Sequence, residues 1–106
     1  SGTPRREFLY VDDLADACVH LMNVGYDGPL VNVGTGEDVT ISELARTVMR
    51  VIGFDGNMVF DSTKPDGTPR KLLDVSRARA LGWTAHTTLR DGISLAYADM
   101  LRRLPD

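Results

Sequence analysis

The sequence predicts an α/β fold in which short strands alternate with helices. Residues 7–11 and 30–33 are rich in β-branched and aromatic or aliphatic side chains, which is typical of strands, and apolar residues at helical spacing follow each segment. Alternating elements of this kind pack as layers around a shared core. A chain of 106 residues supplies one modest core, so we expect a single domain over residues 1–106.

The first helix is expected to begin after the first strand and to end near Gly25. Asp12 or Asp13 is a suitable N-cap, because a carboxylate accepts hydrogen bonds from the free amides at the start of a helix. Cys18 is interpreted as a small buried hydrophobic residue rather than a reactive thiol, and His20 is expected to face solvent. Apolar positions at steps of three and four residues predict one buried face, formed by Val11, Leu14, Cys18, Leu21 and Met22.

The second helix has the clearest local signals. Thr40 and Glu43 are spaced as a capping box, in which each side chain accepts a hydrogen bond from the other residue's backbone N–H. Gly53 is expected to end the helix. The glycine pair within residues 34–36 is interpreted as a turn, because the two acidic residues after it would repel a phosphate. The predicted apolar face of this helix consists of Ile41, Leu44, Ala45, Val48, Val51 and Ile52.

The remaining elements continue the alternation. Residues 57–61 predict a third strand, and Ser76 is expected to cap a short helix that ends at residues 81–82. Trp83 directly follows that helix, and its indole is expected to cover the core as a plug. A second capping box at residues 88–91 opens the closing helix. The apolar stripe of that helix consists of Leu89, Ile93, Tyr97, Met100, Leu101 and Leu104.

Residues 64–71 form the candidate binding loop. This segment combines three cations with a carboxylate, two prolines and Gly67, and neither a helix nor a central strand passes through such a composition. Arg binds phosphate as a planar fork and Lys as a point charge. An Arg pair that precedes the first strand is expected to face the loop, so we predict that Arg6, Arg70 and Lys71 converge on a phosphate or diphosphate. The alternative from composition alone is a solvated polar turn.

Composition excludes several classes of function. A net charge of -3 and a pI of about 5.2 argue against nucleic acid as the partner, and no apolar stretch approaches the roughly 20 residues that span a bilayer. The single cysteine excludes an intrachain disulfide, so we expect a cytoplasmic location. His20 and His86 have no acidic neighbours at ligand spacing along the chain, and no metal site is predicted. No Tyr precedes a Lys by four residues, so we expect this chain to bind rather than to catalyse.

Three motifs resemble the nucleotide-sugar enzymes of the extended short-chain dehydrogenase superfamily. Residues 6–15, which read Arg-Glu-Phe-Leu-Tyr-Val-Asp-Asp-Leu-Ala, and residues 32–44, which begin Asn-Val-Gly-Thr-Gly, match segments shared by many epimerases and dehydratases. Residues 60–74, together with Leu-Gly-Trp at residues 81–83, are similar to the GDP-L-fucose synthase family, which converts GDP-4-keto-6-deoxy-mannose. The similarity covers nearly the whole chain and corresponds to the C-terminal third of that family's enzymes.

The resemblance implies a two-domain enzyme, of which this chain is the smaller, substrate-binding C-terminal domain. The family's N-terminal Rossmann domain binds NADP and carries the catalytic Ser, Tyr and Lys with an epimerising Cys and His, and that domain is absent from residues 1–106. The sequence opens without Met, which also indicates a piece of a longer protein. The isolated chain is therefore expected to be inactive, to bind a GDP-sugar but not NADP, and to self-associate through apolar surface that the missing domain would cover.

The resemblance also implies particular substrate contacts. Arg6 and Asp66 match family residues that contact the nucleotide-sugar, and a carboxylate at residue 66 suits ribose hydroxyls or the N–H edge of guanine. Asn57 stands where the family often has a basic contact residue. Arg70 and Lys71 are expected beside the diphosphate, unless one of them pairs with Asp66 or Asp74.

Two other functions stay open at this point. The chain is alternatively the corresponding domain of another nucleotide-sugar epimerase or dehydratase. A function of a different class is a free-standing, non-catalytic module that binds a nucleotide or a protein partner. An upstream Gly-rich strand–turn–helix in the same reading frame would support the enzyme, and a start codon just before Ser1 would support the module.

Overall fold

The computed structural model describes residues 1–105 and confirms the α/β class. Helices outweigh strands, and the strands are only two residues long. The elements in chain order are β1 (Arg5–Arg6), α1 (Val11–Asn23), β2 (Val39–Thr40), α2 (Ile41–Ile52), β3 (Arg70–Lys71), α3 (Ser76–Ala80) and α4 (Leu89–Arg103).

The three strands form one small sheet with β1 in the middle. Strand β1 pairs with β2 in the antiparallel direction and with β3 in the parallel direction, which gives the order β2-β1-β3. The Arg5 N–H donates to the Pro69 carbonyl oxygen at 2.8 Å. Pro69 has no N–H of its own, so it joins the ladder only as an acceptor at the start of β3.

The three strands predicted from composition are wrong in position. Residues 7–10 follow β1 without forming a strand, Val11 already belongs to α1, and residues 30–33 and 57–61 form no strand within residues 1–105. A strand exists only where a neighbour satisfies its backbone N–H and C=O groups. Leu30 is 93% exposed, which shows that the second apolar segment has no sheet to join among the described residues.

Helix α1 is where the sequence predicts it, but its orientation and its cap differ from the prediction. Tyr10 is the N-cap and makes no side-chain cap bond, and both aspartates lie within the first turn. The residues that α1 buries are Asp13 and Ala17. The predicted apolar face is turned outward instead, with Met22 79% exposed and Cys18 also exposed. Periodicity located the apolar stripe, but only a partner surface decides whether such a stripe is buried.

Helix α2 confirms the local predictions. The Thr40 hydroxyl oxygen accepts from the Glu43 N–H at 3.0 Å, and the Glu43 carboxylate accepts from the Thr40 N–H at 3.1 Å, which completes the capping box. Gly53 follows the helix with φ of 73°, a left-handed conformation that glycine adopts without steric cost. Helix α2 packs against α4.

The caps of the last two helices match the predictions in part. Ser76 is the first residue of α3 rather than its cap, and its N–H donates to the Asp74 carboxylate at 3.0 Å. Thr88 caps α4 by accepting from the Asp91 N–H at 3.2 Å. The reciprocal bond from Asp91 to the Thr88 N–H is not formed among the described residues, so only half of this capping box is present.

The core is small and is centred on Trp83. The indole is 3% exposed and packs with Ala17 of α1 and Ala78 of α3, which confirms the predicted plug. Its N–H donates to the Asp16 carboxylate at 2.9 Å. The indole therefore anchors α3 and the following loop to one side of α1.

Asp13 is a buried carboxylate that organises the start of α4. It is 3% exposed, and it accepts from the N–H of His86 at 3.2 Å and from the N–H and hydroxyl of Thr87 at 2.9 and 3.0 Å. These bonds tie α1 to a loop more than 70 residues later in the chain. A buried charge is tolerated here because several donors surround it.

The described chain exposes far more surface than a folded monomer of its mass. Its solvent-accessible surface is 7716 Å², whereas an 11.6 kDa globular protein is expected to expose about 5,800 Å². Its radius of gyration is 16.5 Å, against about 13 Å expected for this length. The fold consequently presents apolar side chains that residues 1–105 do not cover.

We expect Asp13→Ala to lower the free energy of unfolding by about 1–3 kcal/mol, because three partly buried donors lose their acceptor. Asp12→Ala is the matched control, since Asp12 lies one residue earlier on the exposed side of the same helical turn, and it should change stability by less than about 0.5 kcal/mol. Urea unfolding followed by circular dichroism measures both. Equal losses in the two variants would contradict the anchoring role of Asp13.

Candidate functional site

Two pairs of cations face each other across the parallel strands β1 and β3. The register places Arg5 opposite Arg70 and Arg6 opposite Lys71. Because successive residues of a strand point to opposite faces, each pair shares one face of the sheet. Four positive charges therefore meet at one short ladder, and the two faces can be used differently.

The first pair is bound by a buried carboxylate. Asp38, just before β2, accepts from Arg5 Nε at 2.9 Å through one oxygen and from Arg70 Nε at 2.6 Å through the other. The Asp38 side chain is only 4% exposed. Burial opposes its ionisation, but the hydrogen bonds and charges of the two guanidinium groups outweigh burial and hold the pKa of Asp38 below its ordinary value. Asp38 is therefore ionised at neutral pH.

This ion pair changes the role predicted for Arg70. The sequence left open that one cation of the loop pairs with a carboxylate, and it named Asp66 as one such partner. The structure selects Asp38 instead, 32 residues earlier in the chain. Asp38 itself was interpreted only as one of two charges that repel phosphate, because nothing in its local sequence indicates which strands will surround it.

Arg6 lies over the turn of the candidate loop. Its Nη1 donates to the Arg5 carbonyl oxygen at 2.7 Å, and its Nη2 lies 3.7 Å from the position that a Cβ would take at Gly67. Gly67 has φ of 78°, so a left-handed residue forms the turn beneath the guanidinium. The upstream Arg and the proline-rich loop thus converge on the same side of the molecule, as the sequence predicted.

Asp66 also lies at this turn, where it contacts the start of the chain. Its carboxylate accepts from the Ser1 hydroxyl at 2.7 Å. Asp66 is exposed and ionised beside Gly67, so it can accept further hydrogen bonds from a ligand.

The other two predicted contact residues are exposed. Lys71 lies at the end of the loop, and within residues 1–105 it forms no ion pair. Asn57 is exposed as well and makes no hydrogen bond to the described part of the chain. Lys71 is placed next to Arg6 by strand pairing, whereas no contact of the structure joins Asn57 to Arg6.

Glu7 braces the backbone beside Arg6, and the sequence did not single it out. Its carboxylate accepts from the Gly36 N–H at 2.6 Å and from the Leu73 N–H at 3.1 Å. It therefore ties the turn at residues 34–36 to the segment that follows β3. The Gly36 amide that a phosphate loop would offer to its ligand is occupied by Glu7, which agrees with the interpretation of these glycines as a turn.

A cleft of about 270 Å³ opens beside Arg6. Its walls come from the end of β1, the turn at residues 35–39 and the loop before α4. Polar groups that face it include the side chains of Arg6, Thr35, Glu37, His86 and Thr87. The volume suits part of a nucleotide-sugar rather than the whole of one, since ligand pockets usually measure about 300–1,000 Å³.

The two histidines have partners that their sequence neighbourhood does not show. His20 is half-buried and its Nε2 lies 2.7 Å from the Leu81 carbonyl oxygen, so the prediction that it faces solvent is wrong. His86 Nε2 lies 3.2 Å from the Asp16 carboxylate. Hydrogen bonding to Trp83 and the nearby His86 lower the pKa of Asp16. No group of three or more His, Cys, Asp or Glu side chains in residues 1–105 is arranged to hold a metal ion.

Among residues 1–105, no helix is both long enough and apolar enough to cross a membrane. The longest, α4, has 15 residues and carries charged side chains.

Comparison with known proteins gives one family match and several similar curated proteins. Residues 1–34 match the family described as the NAD dependent epimerase/dehydratase family. Over 92% of its length the chain is 57% identical to GDP-L-fucose synthase 1 of Arabidopsis thaliana and 50% identical to GDP-L-fucose synthase of Escherichia coli. It covers 30% and 33% of those two proteins, so it spans about a third of the length of the curated relatives.

Solved structures agree with the sequence comparison. A GDP-6-OMe-4-keto-L-xylo-heptose reductase from Campylobacter jejuni superposes with a TM-score of 0.88 at 34% identity, over 98% of this chain and 33% of that one. A GDP-mannoheptose C4 reductase from the same organism, with NADP bound, gives a TM-score of 0.79 at 36% identity over 92% of this chain and 32% of that one. The chain is therefore similar in sequence to GDP-L-fucose synthases and in fold to a GDP-heptose reductase, and it corresponds to about a third of the length of each.

Proposed function

We propose that this chain is the nucleotide-sugar-binding part of a GDP-L-fucose synthase. The whole enzyme would use NADPH to convert GDP-4-keto-6-deoxy-D-mannose to GDP-L-fucose by epimerisation and reduction. The observation that carries the proposal is the position of the Arg6 guanidinium over the Gly67 turn, beside Asp66 and Lys71. The identity to GDP-L-fucose synthases of a plant and a bacterium supports the choice of substrate.

The charges at this turn suit the diphosphate of a sugar nucleotide. A diphosphate that is esterified at both ends carries two negative charges, and Arg6 with Lys71 offers two cations on one face of the sheet. Arg6 binds phosphate oxygens as a fork, and Lys71 binds as a mobile point charge. Asp66 accepts hydrogen bonds from ribose hydroxyls or from the N–H edge of guanine. Asn57 remains a predicted contact.

The chemistry of the reaction belongs to residues outside this sequence. Beside the Arg6 cleft, no threonine hydroxyl of the described residues forms a hydrogen bond to a histidine ring, and the relatives extend over about three times this length. We propose that a Rossmann domain binds NADP and supplies the catalytic groups, and that the isolated chain has no activity. The cytoplasm is the proposed location, because sugar nucleotides and NADPH are both available there.

The outward face of α1 is the proposed contact with that domain. Val11, Leu14, Val19 and Met22 are between 45% and 79% exposed, although their spacing is that of a buried stripe. Exposed apolar surface of this extent is unusual for a protein that functions alone. In the isolated chain the same face is expected to bind a second copy.

A related function has support from one observation. The chain also superposes on a GDP-heptose reductase at a TM-score of 0.88, so a different GDP-linked sugar is the second candidate substrate. Assay of the protein from the complete reading frame with both sugars separates the two: turnover of GDP-4-keto-6-deoxy-mannose supports the first, and turnover of a GDP-keto-heptose alone supports the second.

Arg6→Ala is expected to weaken the binding of GDP to the chain by about 10- to 100-fold, because a charge-assisted hydrogen bond contributes about 1.5–3 kcal/mol. Arg50→Ala is the control, since Arg50 is an exposed guanidinium on α2, away from the Gly67 turn, and it should leave the affinity unchanged. Isothermal titration calorimetry measures all three proteins. Equal affinities for the wild type and Arg6→Ala would remove Arg6 from the site.

Self-association of the isolated chain is expected at high concentration and should be reduced by Met22→Lys, which introduces a charge into the α1 face. Val59→Lys is the control, because Val59 is 86% exposed outside α1. Sedimentation velocity at increasing concentration measures the effect. A monomer at every concentration, or equal loss of association in both variants, would contradict the role of this face.

A further inference from the structure

We propose that Asp38 is a positioning residue of the nucleotide-sugar site: by binding Arg5 and Arg70 together it sets the register of β3 against β1 and so places Lys71 beside Arg6. This inference deepens the proposed function and rests on it. Asp38 lines the cleft beside Arg6 but forms a hydrogen bond to neither Arg6 nor Lys71, so its effect on the position of these two side chains is exerted through the sheet.

The geometry of Asp38 is that of a clamp between two strands. One oxygen accepts from Arg5 of β1 and the other accepts from Arg70 of β3, at 2.9 and 2.6 Å. Arg5 Nη2 also lies 3.5 Å from the Asp38 carbonyl oxygen. Arg5 and Arg70 are register partners, so the clamp acts at the residue pair that defines the alignment.

The ladder between β1 and β3 needs such a clamp because it is short and exposed. Each strand has two residues, and both residues of β3 are exposed to solvent. A pairing of this length fixes few backbone hydrogen bonds, and parallel pairs are slightly weaker than antiparallel ones. Strand β3 follows directly after loop residues 64–69. Contacts with residues close in sequence therefore do not by themselves hold β3 in place. Charge-assisted bonds to a nearly buried carboxylate supply the missing constraint.

The clamp also divides the four cations of the sheet by role. Arg5 and Arg70 share the single negative charge of Asp38, whereas Arg6 and Lys71 form no ion pair within residues 1–105. A shift of β3 by one residue would replace Lys71 beside Arg6 with either Arg70 or Leu72 and would reverse the faces. The alignment of β3 therefore decides which charges meet the ligand.

Neutralisation of Asp38 has opposite expected effects on anion binding under simple electrostatics and under the positioning role, and this difference tests the proposal. If Asp38 only lowered the local positive potential, its neutralisation would release two guanidinium groups and would tighten the binding of an anion. If Asp38 positions Lys71, neutralisation loosens β3 and weakens binding. The sign of the change in affinity for GDP separates the two.

The experiment compares Asp38→Asn with the wild-type chain by two measurements. The first is hydrogen exchange of the Arg5 amide, which donates to Pro69 across the β1–β3 ladder and needs no ligand. We expect exchange to accelerate by about tenfold or more, while amides of α2 keep their protection and show that the fold is intact. The second is titration with GDP, for which we expect weaker binding by about tenfold.

Arg70→Met provides a second variant if Asp38→Asn does not fold. Arg70 is 59% exposed, and its replacement removes one half of the clamp without leaving a buried charge alone, because Arg5 still pairs with Asp38. Its Arg5 amide should exchange faster than in the wild type and slower than in Asp38→Asn. Asp99→Asn, which removes a carboxylate that forms ion pairs with Arg102 and Arg103 on α4, should change neither measurement.

Each result has one meaning. Unchanged exchange at the Arg5 amide in both Asp38→Asn and Arg70→Met, or tighter binding of GDP by Asp38→Asn, would overturn the positioning role. Failure of the wild-type chain to bind GDP would count against the proposed function, and the exchange measurement would still decide whether Asp38 sets the register.

Discussion

The arrangement at the candidate site depends on one ion-pair interaction, the sharing of Asp38 by Arg5 and Arg70. This carboxylate is nearly buried, and its two partners come from two different strands. Without a negative charge between them, two adjacent guanidinium groups on a two-residue parallel ladder would repel each other. The interaction therefore permits a dense cluster of cations in a protein whose net charge is -3.

Two other carboxylates also join segments that are far apart along the chain. Glu7 joins the turn at residues 34–36 to the segment after β3, and Asp13 joins α1 to the loop before α4. Each accepts mainly from backbone N–H groups, so each fixes main-chain positions rather than opposing a charge. The fold thus relies on buried acceptors where its apolar core, centred on Trp83, is too small to define the loops.

The exposed α1 face and the excess of surface have a common cause in packing. A helix with apolar residues on one side needs a second layer, and residues 1–105 supply a layer only for the side that carries Asp13 and Ala17. Residues 30–33 pair with no strand among the described residues, although Val31 and Val33 pack against the Trp83 core. These features agree with a chain that spans about a third of its relatives' length.

The features that the sequence by itself determined are those whose hydrogen-bonding partners lie within a few residues. The capping box at Thr40 and the left-handed Gly53 depend on local backbone geometry, and both are present as predicted, whereas the last two residues of the predicted loop over 64–71 form strand β3. The position of Arg6 beside the loop was also expected, because both segments carry cations that suit one phosphate, and Arg6 Nη2 lies 3.7 Å from the Cβ position of Gly67. The positions and order of the strands were not predicted, because short strands need pairing partners that composition does not specify.

Tertiary structure alone decided which charges neutralise each other and which faces are buried. Asp38 meets Arg70 across 32 residues of sequence, and Asp13 meets Thr87 across 74. No local pattern encodes such pairings, because the energy of an ion pair depends on its distance and on its burial, and both arise only when the chain has folded. For the same reason the stripe on α1 was located by its spacing, while its exposure was decided by the absence of a packing partner among the described residues.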